Sequence, residues 1–162
     1  MKSTIREYQK NNILVVSKTL ILSLVLFLSL SCNNSDDENN LITQTITPVL
    51  IGKGIHSGNA VQSNLVITNQ TDWLQLMNSL TTANTSNFTE TNIDFNNFQL
   101  LVSIDGTRPN TGYSIDISNV IENTTNITAT VSILNSGNGF TVLTQPFHIV
   151  KIPKSPKPVV FQ

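Results

Sequence analysis

The apolar residues of this chain fall into three regimes. Residues 19–31, TLILSLVLFLSLS, form a nearly unbroken apolar run that stops at Ser31, directly before Cys32. Residues 33–40, NNSDDENN, carry no apolar side chain. From residue 46 the pattern turns to short apolar runs divided by Gly, Asn, Thr and Pro. Two of these runs alternate strictly. In TGYSIDI (111–117), Tyr113, Ile115 and Ile117 point one way, with Ser114 and Asp116 opposite. In NITATVSIL (126–134), Ile127, Ala129, Val131 and Ile133 share one face, with Thr128, Thr130 and Ser132 on the other. A period of two marks a strand with one dry and one wet face. ENTTN (122–126) supplies the turn between the two.

Other runs complete a β-rich picture. ITPVLIGKGI (46–55) and NLVITN (64–69) read as strands joined by the turn-forming HSGNA (56–60). FQLLVSID (98–105) is apolar enough for the centre of a sheet, and PFHIVKI (146–152) is another strand. PVVF (158–161) is assigned to an edge, because Pro153, Pro156 and Pro158 cannot donate to a central ladder. One segment has helical spacing instead. NQTDWLQLMNSL (69–80) sets Trp73, Leu76, Met77 and Leu80 on one stripe, with Asn69 or Thr71 as N-cap and Asp72 in the first turn. That stripe predicts core packing. Residues 81–93 lack periodicity and read as a surface loop. The expectation is a mainly β protein, a small β-sandwich with one short helix at about 70–80, forming a single domain over 46–162.

Charge sharpens the division. Lys2, Arg6, Lys10 and Lys18 precede the apolar run with a single acid, Glu7. Beyond residue 31 five basic residues face nine acidic ones, three of them in Asp36, Asp37 and Glu38. The domain beyond that cluster is nearly neutral, which argues against a nucleic-acid partner. The basic start, the apolar run and the small residue before Cys32 make residues 1–31 a secretory signal peptide. A spanning helix needs about 20 apolar residues, and extending this run back through ILVV (13–16) would bury Lys18 at about 2.5–3.5 kcal/mol.

Cys32 is the only cysteine, so no disulfide forms within the chain. The segment SLSC (29–32) resembles the lipobox of bacterial lipoproteins, with Ser29 at the position usually held by leucine. Looser lipoboxes of this kind are typical of Bacteroidetes-type bacteria. The resemblance implies diacylglycerol and an N-acyl chain such as palmitate on Cys32, and at about 0.8 kcal/mol per buried CH₂ those chains anchor the protein permanently. The partner on that side is the outer membrane of the cell envelope. Residues 32–45 then form an acidic, flexible tether. The acids after the cysteine resemble a surface-export signal of Bacteroidetes lipoproteins. An outward-facing and a periplasm-facing orientation both stay open.

Chemistry is sparse. His56 and His148 stand far apart and outside any metal-binding spacing. G-x-S-x-G, H-E-x-x-H and P-loop motifs are missing, and Asp94, Asp105 and Asp116 are scattered. SGNG (136–139) reads as a hairpin turn, not a phosphate cradle. The sequence therefore predicts no catalytic residue, no metal and no cofactor. GTRPNTGY (106–113) does stand out: Pro109 fixes φ, Gly106 and Gly112 permit left-handed geometry, and Arg108 and Tyr113 are residue types common at binding hot spots.

IDF (93–95), LLVSIDG (100–106), RPNTGYSIDI (108–117) and QPFHIVKIPK (145–154) resemble the C-terminal domain of protease complex subunit PrcB over about residues 90–160. Gly106, Arg108, Pro109, Gly112 and Tyr113 match that family's turn, whereas Asn110 and Thr111 replace its Thr and first Gly. The resemblance implies a lipoprotein that helps assemble or stabilise a surface protease complex without being the peptidase. Arg108, Pro109, Asn110, Thr111 and Tyr113 are then the candidate protein-binding residues, and the partner is a protein, a secreted protease among the candidates. PNTGY (109–113), SGNG (136–139) and QPF (145–147) are also similar, in order though not in spacing, to the three loops of chagasin-type cysteine-peptidase inhibitors, which are immunoglobulin-like sandwiches. A surface lipoprotein of purely structural role is the remaining alternative.

Overall fold

The structure, a computed structural model, describes residues 43–58 and 61–162. Residues 1–31, expected to be a signal peptide, Cys32 and the acidic stretch 33–40 lie outside the described residues. Among the described residues eight strands form two four-stranded sheets, the mainly β sandwich expected from the sequence. The first sheet has the order β1–β5–β6–β8, built from Gln44–Ile46 (β1), Tyr113–Glu122 (β5), Ile127–Asn135 (β6) and Val159–Phe161 (β8). The second has the order β2–β7–β4–β3, built from Val49–Gly54 (β2), Ser63–Ile67 (β3), Phe98–Ile104 (β4) and Phe147–Pro153 (β7). All pairs are antiparallel except β6 with β8.

Helix α1 (Gln70–Ser79) packs on the outer face of the second sheet, so the central strand β4 is buried on both sides. Its start is fixed by Asn69, whose side-chain oxygen accepts from the Asp72 backbone N–H at 2.9 Å. Trp73, Leu76 and Leu80 pack on Ile67, Leu100, Val102, Ile104, Phe147 and Ile149. A second, aliphatic core fills the space between the sheets, with Leu101, Val150 and Ile152 facing Ile117, Val120, Ile127 and Ala129. Residues 98–105 show no alternation because even positions of β4 face the helix layer and odd positions face the other sheet.

Four expectations need correction. The run 46–55 is two strands in different sheets: Pro48 lacks the N–H that would carry one ladder through. Strand β1 begins at Gln44, inside the stretch read as tether. Residues 81–93 are more than a surface loop. They contain a short turn of helix, α2 (Thr82–Thr85), and two apolar anchors. Ile93 is buried, and the Phe88 ring lies 6.0 Å from that of Trp73 and 6.2 Å from that of Phe147. Phe88 fits only because Gly52 has no side chain, since a Cβ there would lie 2.3 Å from the ring. SGNG is not a hairpin turn. It opens the connection 136–146, which carries the chain from β6 in one sheet to β7 in the other.

Strand β6 also outruns its cover. Ile127 and Ala129 are buried as the alternation requires, but Ile133 and Leu134 stand about half exposed at 48 and 52 %. That end of the sandwich gathers residues 55–58 and the connections 105–112 and 136–146 (the loop end). The β5–β6 and β7–β8 turns occupy the opposite end, where β1 also starts.

Candidate functional site

The loop end is organised around one buried carboxylate. Asp105 follows the last residue of β4, and its side chain is completely buried. Arg108 returns to it with two parallel bonds, Nε to Oδ2 and Nη2 to Oδ1, both at 2.7 Å. The Gly106 backbone N–H also donates to Oδ1 at 2.7 Å. A two-pronged, charge-assisted contact of this kind fixes orientation as well as energy. The bonds to Asp105 hold the Arg108 pKa above its ordinary value; partial burial opposes this, and the Asp105 and Tyr113 charges reinforce it. The guanidinium lies 5.1 Å from the centre of the Tyr113 ring, which supports it from below.

The surrounding chain is stitched to this lock. Arg108 and Thr144 exchange backbone hydrogen bonds at 2.7 and 2.9 Å. The Thr144 hydroxyl donates to the Asn110 carbonyl, and Asn110 Oδ1 accepts from the Gly112 N–H, closing a local turn. Thr111 holds Phe140 twice, donating its N–H to the Phe140 carbonyl and accepting the Phe140 N–H on its hydroxyl. Gln145 ties in the third loop, donating to the Asp105 carbonyl and accepting from the Ser57 hydroxyl. Gly106 and Gly112 are not left-handed; among the described residues only Gly58 and Gly137 have positive φ. Close backbone approach centres on Gly112 and Gly139: a Cβ on Gly139 would come within 2.4 Å of the Gly112 nitrogen, and one on Gly112 within 3.2 Å of the Asn138 carbonyl oxygen.

The candidate residues therefore divide. Arg108, Asn110, Thr111 and Tyr113 are half-buried; the first three use side-chain polar atoms in bonds within the protein and Tyr113 places its ring against the guanidinium, while Pro109 is exposed. Arg108 does not stand free as a hot-spot side chain would; it neutralises Asp105. What the loops present outward is apolar: Phe140 at 83 %, Leu143 at 71 % and Val142 at 50 % exposure. Beside them a depression of ≈ 690 Å³ is bounded by His56, Thr81, Thr107, Leu143, Thr144 and Gln145. The sequence reading missed these apolar residues, although FTVL (140–143) was a visible clue, with three large apolar side chains in the connection between the strands at 126–134 and 146–152.

The two histidines are unrelated. His56 is exposed and bridges by its backbone to Gln145. His148 sits between the sheets, where Nδ1 accepts the Ile117 N–H at 2.8 Å, so the neutral ring carries its proton on Nε2. Burial pushes its pKa down; Asp116 pulls it up and Lys53 adds a further lowering. Among the described residues no group of three or more His, Cys, Asp or Glu side chains is placed to hold a metal, and no helix is long and apolar enough to cross a membrane. Comparison with protein-family models, curated proteins and solved structures finds no match to this chain. The fold and the loop end define a small mainly β sandwich with three connections locked together at one end.

Proposed function

We propose that this protein is a lipoprotein, cleaved before Cys32 and held on the outer membrane by lipid on that residue, that serves as a non-catalytic binding or assembly subunit for another protein. The supporting observation is the loop end: Phe140, Val142 and Leu143 project from a frame pinned by Asp105 and Arg108. Exposed apolar side chains on an immobilised backbone suit a protein partner, because little ordering entropy is left to lose on binding. The resemblance to protease complex subunit PrcB makes a secreted protease the first partner to test.

The test pairs Phe140→Ser with Leu143→Ser in one variant. Surface changes at exposed positions shift stability by about 0.5 kcal/mol or less, so the melting temperature stays near wild type. Capture of envelope proteins, then of a purified candidate peptidase, is lost. A variant that retains every wild-type partner overturns the assignment of the loop end. The anchor is tested separately by mass spectrometry, with the mature N-terminus at Cys32 expected and unlipidated precursor expected for Cys32→Ser.

A second reading has one observation in its favour. PNTGY, SGNG and the start of QPF lie together at the loop end, so the segments similar to the chagasin-type inhibitor loops share a surface. Inhibition of a papain-like peptidase by the purified protein, abolished in the same double variant, would replace assembly with inhibition.

A further inference from the structure

Among the described residues, four strands form the outer edges of the two sheets, and three of them are blunted. Strand β2 carries Lys53 and a register shift between Leu50 and Gly52. Strand β1 has three residues and is followed by Pro48. Strand β8 has three residues and is preceded by Pro156, Lys157 and Pro158. Short length, lysine, proline and bulges are the devices that keep a sheet edge from pairing with another chain. Strand β3, Ser63–Asn64–Leu65–Val66–Ile67, has none of them. It pairs with β4 in unbroken register, carries no charge or proline, and leaves Leu65 and Val66 exposed at 39 and 37 %.

The space beside β3 fits a strand. On the helix side a groove of ≈ 570 Å³ opens along Leu65 and Ile67, walled by Gln75 and Leu76 of α1 and reaching Ile104. On the inter-sheet side a cleft of ≈ 360 Å³ opens along Asn64, bounded by Ser103, Ile115 and Val131. A strand laid along the edge drops alternate side chains into these two spaces.

We propose that β3 is the contact of a homodimer, in which two copies pair antiparallel about Leu65 and join their second sheets into one continuous sheet. This register sets Leu65 against its own copy and Asn64 against Val66. The partner's Leu65 enters the helix-side groove against Leu76 and Ile104, with Asp72 and Gln75 at its rim, while its Asn64 and Val66 enter the cleft that offers both Asn64 and Ser103 and the apolar Ile115 and Val131. The chemistry of β3 thus matches both spaces that flank it. Its lack of charge lets two copies meet without repulsion, and a two-fold contact of this kind closes on itself. The dimer does not depend on what binds the loop end.

The test is disulfide trapping in the full chain, expressed in a bacterial envelope and oxidised there. Wild type, whose only cysteine is Cys32, sets the baseline, and Val160→Cys on the β8 edge reports random encounters on the membrane. Leu65→Cys is expected to yield several-fold more covalent dimer than either. Chains bearing Asn64→Cys and Val66→Cys, expressed together, are expected to trap each other more than either traps itself. Dimer no greater than with Val160→Cys overturns the proposal. So does trapping without the 64-to-66 preference, which would place the contact in another register, or trapping of Leu65→Cys onto a different protein, which would make β3 a site for a foreign strand.

Discussion

The two faces of the second sheet do different work. Toward α1 the face is apolar around an aromatic centre assembled from Trp73, Phe88 and Phe147, with the Lys151–Glu90 ion pair at its margin. Toward the other sheet the same strands are mainly aliphatic away from the loops, at Leu101, Val150 and Ile152 with Gln99 buried beside them, and polar near the loop end, at Ser103, Asp105 and His148. The three polar groups near the loops each have a partner: Ser103 donates to Asn64, Asp105 accepts from Arg108, and His148 accepts from Ile117, whereas the Gln99 amide nitrogen, at the other end, is buried without one. The apolar face tolerates any arrangement that fills its volume, whereas each polar group demands one particular neighbour. The difference teaches that stability is concentrated on one side of the sheet and loop placement on the other.

The largest effect is expected on the apolar side. Trp73 is fully buried, its indole N–H donates to the Thr91 carbonyl at 2.9 Å, and its ring stacks on Phe88. Trp73→Ala removes all three and should cost about 3–5 kcal/mol, a large part of the roughly 5–15 kcal/mol that a domain of this kind possesses. Urea unfolding measures it. A midpoint within error of wild type would show that the helix layer is dispensable, and the contrast between the faces would collapse.

Next comes the polar side, where two ion pairs can be set against each other. Removing Arg108 leaves the buried Asp105 carboxylate without its counter-charge. Arg108→Ala should therefore cost about 2–3 kcal/mol, below the figure for a fully buried pair because the arginine is partly in solvent. Arg108→Lys keeps the charge but loses the fork, and should fall between the two. Lys53 pairs with Asp116 where both are partly exposed, so Lys53→Ala should cost about 1 kcal/mol or less. Equal losses for Arg108→Ala and Lys53→Ala would remove the special status of the loop-end lock.

Much of this was legible in the sequence. Period-two alternation found β5 and β6, the helical stripe found α1 and its buried face, and the prolines marked β8 as an edge. Each of those signals is local. Which sheet a strand joins is not local, and so the run 46–55 was read as one strand and SGNG as a hairpin. Phe88 was hidden for the same reason, because the space it fills is created by Gly52, thirty-six positions away. The lock is an intermediate case. Asp105 and Arg108 are close enough in sequence to suggest a pair, but the burial of Asp105 depends on β4 lying between β3 and β7. That burial is what gives Arg108 its loop-supporting contact, and no local signal carries it.

The smallest effect concerns His148, and pH can isolate it. Burial lowers its pKa in the folded protein, so the folded chain resists a proton that the unfolded chain accepts near its ordinary value of about 6.5. Stability from this group is fully present above that value and is lost as pH falls through it toward the lower folded pKa. Protonation also takes the Nδ1 lone pair from the Ile117 N–H, and a buried donor left unpaired costs about 1–3 kcal/mol. Asp94 works in a separate window. The Asn97 and Asn96 bonds hold its pKa below the usual carboxylate value, so its contribution is lost only below about pH 4. Urea midpoints at pH 7.5 and 5.5 should therefore differ in wild type, with the lower pH less stable. In His148→Gln, whose amide oxygen can accept the same N–H but cannot titrate, the difference should shrink. An unchanged difference would assign the acid sensitivity to other groups, and His148 would then be a packing residue on a face whose polar members otherwise act through a fixed neighbour.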